Sequence, residues 1–143
     1  MSNAIESLNG LLRGEISAVE TYTQALKKVE APTLKTTLTE SLGCHQKRVS
    51  DIRDKVASLG GQPSESSGGW GVFAKFVQGA ADIMGETAAI DNIEEGEDHG
   101  LKAYKDELTK CDDQAIREYI QKDLLPKQER THEAARTLKK SLH

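Results

Sequence analysis

The sequence contains few cysteines, prolines and aromatic residues, and these scarcities exclude some classes of protein. Its 143 residues include two Cys, three Pro, one Trp, two Phe and three Tyr. Cys44 and Cys111 stand far apart with no C-x-x-C partner, which argues against a disulfide framework or a cysteine metal clip. Ala, Leu, Glu, Lys and Gln dominate outside one short segment, and this composition is typical of helices.

The chain also lacks a long apolar run and a block of basic residues. The least charged stretch, from Gly68 to Ile93, still carries four charged side chains, so no run approaches the ~20 apolar residues of a membrane span. Residues 1–6 show no basic region followed by an apolar core, so no secretory signal is predicted and a cytoplasmic location is expected. Lys+Arg 19 against Asp+Glu 23 are mixed along the chain, which argues against a nucleic-acid partner.

Apolar residues recur every three or four positions in four long stretches, and this spacing predicts helices over 3–30, 32–59, 87–109 and 113–142. Pro32 fits an early position of the second helix, and Gly60-Gly61 ends it. Pro126 is predicted to kink the fourth helix or split it into two.

The second and third helices are joined by a connection much longer than the other two. It contains a flexible Gly/Ser-rich stretch and then an apolar segment, 70–84, that holds all the Trp and Phe and is predicted to form a short extra helix. The spacing indicates a single all-α domain over 1–143, an antiparallel four-helix bundle with the long crossover of ferritin-like proteins.

The two halves of the chain repeat each other at a few positions. Gly14-Glu15 with Tyr22 and Leu26 recurs at identical offsets as Gly96-Glu97 with Tyr104 and Leu108. Each half therefore places a Glu on the apolar face of its first helix, where an unpaired carboxylate would be costly to bury.

The second helix of each half supplies possible partners for these carboxylates. His45 lies on the apolar face of the second helix, and Glu129 and His132 form a Glu-x-x-His pair on the fourth. Glu-x-x-His pairs and inward-facing carboxylates hold two metal ions in some bundles. We therefore predict a site of Glu15, His45, Glu97, Glu129 and His132 for iron or manganese. Leu42 stands where a complete pattern has Glu, three residues before His45.

Two stretches resemble known families. Leu11-Leu12-x-x-Glu15 followed by Tyr22 resembles the first helix of bacterioferritins. Gly96-Glu97-Asp98 running to Tyr104, together with the run 124–132, resembles a bacterial family of uncharacterised ferritin-like domains. The resemblance implies a ferritin-like fold and, if the protein is catalytic, oxidation of Fe(II) or a small molecule by O₂. Glu15 and Glu97 would then be terminal ligands, Glu129 a bridging ligand, and His45 and His132 nitrogen ligands.

A metal-free alternative accounts for the same residues. Glu15 and Glu97 would hydrogen-bond His45, the tyrosines or one another in a polar layer that holds no metal. The protein would then be an interaction bundle that forms a homodimer or binds a protein partner through the aromatic segment 70–84. That segment lacks the Lys/Arg enrichment of a membrane-surface helix, so no membrane partner is expected.

Overall fold

The computed structural model describes residues 2–68 and 85–142, and within them the chain is helical without any strand. Three long helices are α1 (Ala4–Leu26), α2 (Pro32–Ser58) and α3 (Glu86–Lys110). A fourth, which we call the C-terminal helix, consists of α4 (Gln114–Tyr119), a π-helical turn (Ile120–Leu124) and α5 (Leu125–Leu142). The predicted all-α class and the four long helices are confirmed. The short helix predicted at 70–84 lies outside the described residues.

Local sequence signals fix where the helices begin. Pro32 occupies the first turn of α2 after an extended Ala31, where its missing N–H costs nothing. Asp113 caps α4 by accepting a hydrogen bond from the backbone N–H of Ile116 at 3.0 Å. The chain leaves α2 through Gly60, whose φ of 82° favours glycine.

Contacts at the helix ends show which elements are neighbours. α1 packs against α2 and α3, and α5 packs against α3 and more sparingly against α2. The backbone N–H of Asn3 donates to Asp112 at 2.9 Å, so the start of α1 lies beside the end of α3. Glu86 accepts hydrogen bonds from the backbone N–H groups of Glu30 and Ala31, so the start of α3 lies beside the end of α1.

The chain that follows α2 runs back along α1. Asn9 donates to the carbonyl of Gln62 at 3.0 Å and accepts from the N–H of Ser64 at 2.8 Å. One helical turn further on, Arg13 donates to the hydroxyl of Ser64 at 3.1 Å. Residues 62–64 are therefore fixed against the first half of α1.

Two apolar clusters make up the core, one at each end of the helices. The cluster near the start of α1 contains Ala4, Leu8, Leu11, Leu12, Ile52, Val56, Tyr104, Cys111, Ile116, Ile120 and Leu124. The cluster near its end contains Tyr22, Ala25, Val29, Leu34, Leu38, Ala89, Ile90, Ile93 and Ala135. Between them lies a layer of buried polar side chains, which we call the polar layer: Glu15, His45, Arg48, Glu97, Gln128 and Thr131.

Helical geometry continues through Pro126, so the C-terminal helix is not split at this residue. Pro126 has no N–H to donate to the carbonyl of Lys122, and the turn just before it widens into the π-helical turn Ile120–Leu124. Leu125 keeps helical dihedral angles, φ −57° and ψ −44°, so the helix continues. Because this turn is wider, every later side chain of the helix is shifted around the helix axis.

Candidate functional site

His45 lies at the centre of the polar layer and bridges the two carboxylates that the repeat places there. Its Nδ1 is 2.6 Å from Oε1 of Glu15, and its Nε2 is 2.7 Å from Oε2 of Glu97. All three side chains are buried. Carboxylates only accept hydrogen bonds, so a ring that contacts one through each nitrogen carries both protons and is an imidazolium.

The two tyrosines of the repeat bind the carboxylates of the opposite half. Tyr22 of α1 donates its hydroxyl to Glu97 of α3, and Tyr104 of α3 donates to Glu15 of α1 at 2.5 Å. The exchange is reciprocal, as expected for two related hairpins. Five side chains thus form one hydrogen-bonded chain in the order Tyr104, Glu15, His45, Glu97, Tyr22.

A buried arginine of α2 completes the layer on the side that faces the C-terminal helix. Arg48 is 0% exposed. Its Nη1 donates to Oε1 of Gln128 at 2.7 Å and lies 3.5 Å from Oε2 of Glu15, and its Nη2 donates to the hydroxyl of Thr131 at 3.0 Å. Nη2 also lies 2.9 and 3.2 Å from the two ring nitrogens of His45, so the guanidinium lies against the imidazole ring.

Gln128 and Thr131 connect the arginine back to the second carboxylate. Oε1 of Glu97 accepts from the side-chain amide of Gln128 at 2.8 Å and lies 3.0 Å from the hydroxyl of Thr131. Each oxygen of Glu97 therefore has two hydrogen-bonding neighbours, which offsets the cost of burying the charge.

At the centre of the polar layer, the charges of two acidic and two basic side chains balance. Burial raises the pKa of Glu15, but the charges of His45 and Arg48 outweigh it and the net pKa is lowered. Burial likewise opposes ionisation of Glu97, whose pKa is lowered by its hydrogen bond to His45 and the charge of that ring. Burial lowers the pKa of His45, yet Glu15 and Glu97 together raise it above its ordinary value. Two carboxylates and two cations give the layer no net charge.

Most of these residues fall inside a region shared with other proteins. Residues 3–110 match the family described as a domain of unknown function, DUF2383. The chain belongs to the DUF2383 family. No curated protein and no solved structure matches the chain significantly. The DUF2383 match covers Glu15, His45, Arg48 and Glu97, and it ends before Gln128 and Thr131.

The structure brings together three of the five residues predicted to bind metal. Glu15, His45 and Glu97 meet in the polar layer. Glu129 is exposed, and His132 is half-buried and contacts Asp98 at the surface. The inward positions of the C-terminal helix are instead Gln128 and Thr131, one residue earlier and so ~100° away around the helix.

Three members of the layer were missed in the sequence. Arg48 follows His45 by one helical turn and is buried. Gln128 and Thr131 continue a spacing that runs from Leu124 to Ala135 in steps of four, three and four. This spacing is the sequence signal for the inward face, and the Glu-x-x-His pair lies one residue away from it.

The residues of the polar layer fit a protonated His45 and the guanidinium of Arg48 better than they fit a pair of metal ions. Both ring nitrogens of His45 face carboxylates, so neither offers a free lone pair. Leu42, Gln128 and Thr131 stand at the positions where a complete Glu-x-x-His pattern on α2 and α5 would supply ligands. Within residues 2–68 and 85–142, no group of three or more His, Cys, Asp and Glu is arranged to hold a metal ion.

A small cavity of ≈ 40 Å³ opens beside the layer, between α1 and α3. That volume suffices for a water molecule or two. Its lining includes several small residues, which we call the α1–α3 groove: Gly14, Ser17, Ala18, Thr21, Gly96, Gly100 and Ala103. In the part of the DUF2383 protein that the structure describes, no helix is long and apolar enough to cross a membrane.

Proposed function

We propose that this chain is a ferritin-like bundle whose central layer carries a protonated histidine and an arginine in place of metal ions. Its function is then to bind a protein partner or a second copy of itself, as a helical scaffold without redox chemistry. The observation that carries the proposal is the position of His45, with one ring nitrogen on Glu15, the other on Glu97, and the guanidinium of Arg48 against the ring.

The contacts at the helix ends support an antiparallel four-helix bundle in one domain over 1–143. α1 and α3 run in opposite directions, because Asn3 lies at the end of α3 and Glu86 at the end of α1. α2 returns antiparallel to α1 after a tight turn, so α2 and α3 run parallel. A chain that joins two parallel helices of a bundle must cross the bundle's whole length, as in ferritin-like connectivity.

Charge balance supports the metal-free proposal. A divalent ion between Glu15 and Glu97 would lie within a few ångströms of Arg48, where like charges repel strongly in a buried setting. Metal binding would therefore require the loss of the His45 proton and the withdrawal of the guanidinium. Arg48 is held by both Gln128 and Thr131, which opposes that withdrawal.

Metal analysis tests the proposal. We expect no stoichiometric iron or manganese in protein purified from metal-supplemented cells, and none on anaerobic Fe(II) titration. A variant that combines Leu42→Glu, Arg48→Leu, Gln128→Glu and Thr131→His restores the full ligand pattern. If it folds, as judged by circular dichroism, it should gain metal and serve as the positive control. Near-stoichiometric metal in the wild type, lost in both Glu15→Ala and Glu97→Ala, would overturn the proposal.

One observation favours a second candidate, an iron- or manganese-dependent oxidase. Glu15, His45 and Glu97 converge from three helices, and they are the residue types that such sites use. This candidate requires His45 to present a neutral nitrogen, so it predicts metal binding that strengthens steeply as the pH rises. The metal-free bundle predicts no such rise.

A further inference from the structure

Charged side chains are distributed unevenly among the long helices. The chain as a whole has a formal charge of −4. α3 carries eight acidic and three basic side chains, whereas α2 and the C-terminal helix together carry twelve basic and seven acidic ones. The side of the bundle formed by α2 and the C-terminal helix is therefore basic, although the protein is acidic overall. A basic face attracts anionic groups to that side of the molecule.

A cleft opens on this basic side, between the second half of α2 and the middle of the C-terminal helix. Its volume of ≈ 580 Å³ lies within the range of ligand-binding pockets. Tyr119, Leu124 and Pro126 give it an apolar part, and most of the other lining side chains are charged. From Tyr119 to Arg130 the lining follows the C-terminal helix for about 16 Å. An extended peptide of about five residues has that length.

Lys122 and Arg130 are the basic side chains of this cleft that remain available to an anion. Both are exposed, and neither forms an ion pair with a residue in the part of the chain that the structure describes. Lys127 lies 3.9 Å from Asp51, which Lys47 also contacts at 3.1 Å. Asp51 therefore has two basic partners, while Lys122 and Arg130 have no acidic one.

Two other carboxylates of the cleft restrict where an anionic group can lie. Asp54 and Asp123 are both exposed and line the cleft beside Tyr119. Burial and the neighbouring aspartates raise the pKa of Tyr119 to about 12, so its hydroxyl stays a hydrogen-bond donor at neutral pH. Because Asp54 and Asp123 repel like charges, the carboxylates of an occupant should lie beside Lys122 and Arg130.

We propose that this cleft is the docking site of an acidic segment of a protein partner. Carboxylates of the segment bind Lys122 and Arg130, and an apolar side chain between them packs on Tyr119 and Pro126. The inference rests on the proposed function, in which the bundle binds a protein, and it names the surface and the chemistry of the partner.

The spacing of the two free basic residues favours a peptide segment over other anions. Lys122 and Arg130 are eight residues apart, about 12 Å along the helix, which suits two carboxylates on one chain better than a single phosphate. A second copy of this protein fits less well. Its most acidic helix is α3, where Glu94 and Asp98 already contact basic side chains of the C-terminal helix.

NMR titration of the full chain with a short synthetic peptide tests the proposal. The probe alternates pairs of Glu with single Leu, and a matched peptide has Gln in place of every Glu. At low ionic strength we expect the Glu peptide to bind with a Kd below about 1 mM. Amide signals within 51–58 and 119–130 should shift. The Gln peptide should bind about tenfold more weakly or less.

Charge reversal in the cleft locates the contact. Lys122→Glu combined with Arg130→Glu should weaken binding of the Glu peptide by about tenfold or more. Lys105→Glu combined with Lys140→Glu is the matched control, because it changes the net charge equally at exposed sites outside the cleft. The control should weaken binding by about threefold or less.

Neutralising the acidic side chains of the cleft should have the opposite effect. Asp54→Asn combined with Asp123→Asn should strengthen binding of the Glu peptide by about twofold or more. This variant keeps the proposal testable if the charge-reversed protein fails to fold, as judged by circular dichroism. Unchanged or weaker binding in the folded Asp54→Asn, Asp123→Asn protein would contradict the proposal.

Three further outcomes would overturn the proposal. The first is the absence of shifts in the cleft on addition of the Glu peptide. The second is an equal loss of binding in the cleft and control variants, which would indicate attraction by net charge alone. The third is tighter binding of inorganic pyrophosphate than of the peptide at the same residues, which would assign the cleft to small phosphates. These readouts are independent of metal content, so their failure is distinguishable from a failure of the metal-free bundle.

Discussion

Arg48 of α2 donates a hydrogen bond of 2.7 Å to Gln128 of α5, and both side chains are buried. α2 and α5 pack sparingly elsewhere, so this contact is a main connection between these two helices. It also places a positive charge 3.5 Å from Glu15. The same side chain therefore joins the hairpins and neutralises their buried carboxylates.

Arg48→Leu should destabilise the fold strongly. It leaves two buried carboxylates with only His45 as a counter-charge, and breaking a buried ion pair costs about 3–5 kcal/mol. The free energy of unfolding from urea denaturation measures this loss. Arg53→Leu, an exposed site on the same helix, should change it by about 0.5 kcal/mol or less. Similar small changes in both variants would contradict the role assigned to Arg48.

The periodic parts of the structure could be predicted from the sequence, because they depend on residue spacing within one helix. Four long helices and the placing of Glu15, His45 and Glu97 on inward faces all follow from steps of three and four. The repeat also identified Tyr22 and Tyr104, and the metal-free alternative included them among the possible hydrogen-bond partners of the carboxylates. Their hydrogen bonds to the opposite half depend on how two hairpins meet, which spacing does not encode.

The register of the C-terminal helix could not be obtained by counting from its start. A π-helical turn uses more residues per turn than an α-helix, so Ile120–Leu124 shifts every later side chain around the axis. Glu129 and His132 match a known ligand spacing, but each lies one residue after an inward position of the helix. The spacing that includes Gln128 and Thr131 indicates which side of the helix is buried. A short motif such as Glu-x-x-His can arise by chance and does not indicate burial.

Stability should depend on pH through His45. Its raised pKa means that the stabilisation is fully present below the ordinary value of 6.5 and is lost as the pH rises through the folded value. The lowered pKa values of Glu15 and Glu97 act oppositely, and their stabilisation is lost as the pH falls below about 4.5. The free energy of unfolding should therefore be greatest in the mildly acidic range between these limits.

His45→Gln should abolish the alkaline decline while lowering stability overall. Urea denaturation at a series of pH values measures both effects. His132→Gln removes a histidine outside the polar layer and should keep the decline. An unaltered alkaline decline in His45→Gln would show that another group causes it.

The tyrosine hydroxyls should each contribute more to stability than a neutral hydrogen bond does. Burial and the nearby carboxylates raise the pKa of Tyr22 and Tyr104 well above the ordinary range, so both remain donors at neutral pH. Tyr22→Phe and Tyr104→Phe each remove a hydrogen bond to a charged group and should cost about 1.5–3 kcal/mol. Thermal and urea unfolding provide the measurement.

Tyr119→Phe is the matched control for these variants. The Tyr119 ring contacts the ammonium of Lys55 at 4.6 Å, and its hydroxyl makes no hydrogen bond within the described residues. It should change stability by less than about 0.5 kcal/mol. A double-mutant cycle of Tyr22→Phe with Glu97→Gln should give a coupling of about 0.5–3 kcal/mol. Additive effects would mean that the contact contributes nothing.

Two glycine-to-alanine substitutions should change stability in opposite directions. Gly43 lies exposed inside α2, and a Cβ there would meet nothing within 4 Å. Gly43→Ala should therefore stabilise the protein by about 0.5–1 kcal/mol through helix propensity. A Cβ on Gly100 would come within 2.9 Å of Nε2 of Gln128. Gly100→Ala must push that amide away from Glu97, which weakens the layer, and chemical denaturation should show a net loss. If Gly100→Ala proved as stabilising as Gly43→Ala, the amide of Gln128 would not be held where the layer requires it.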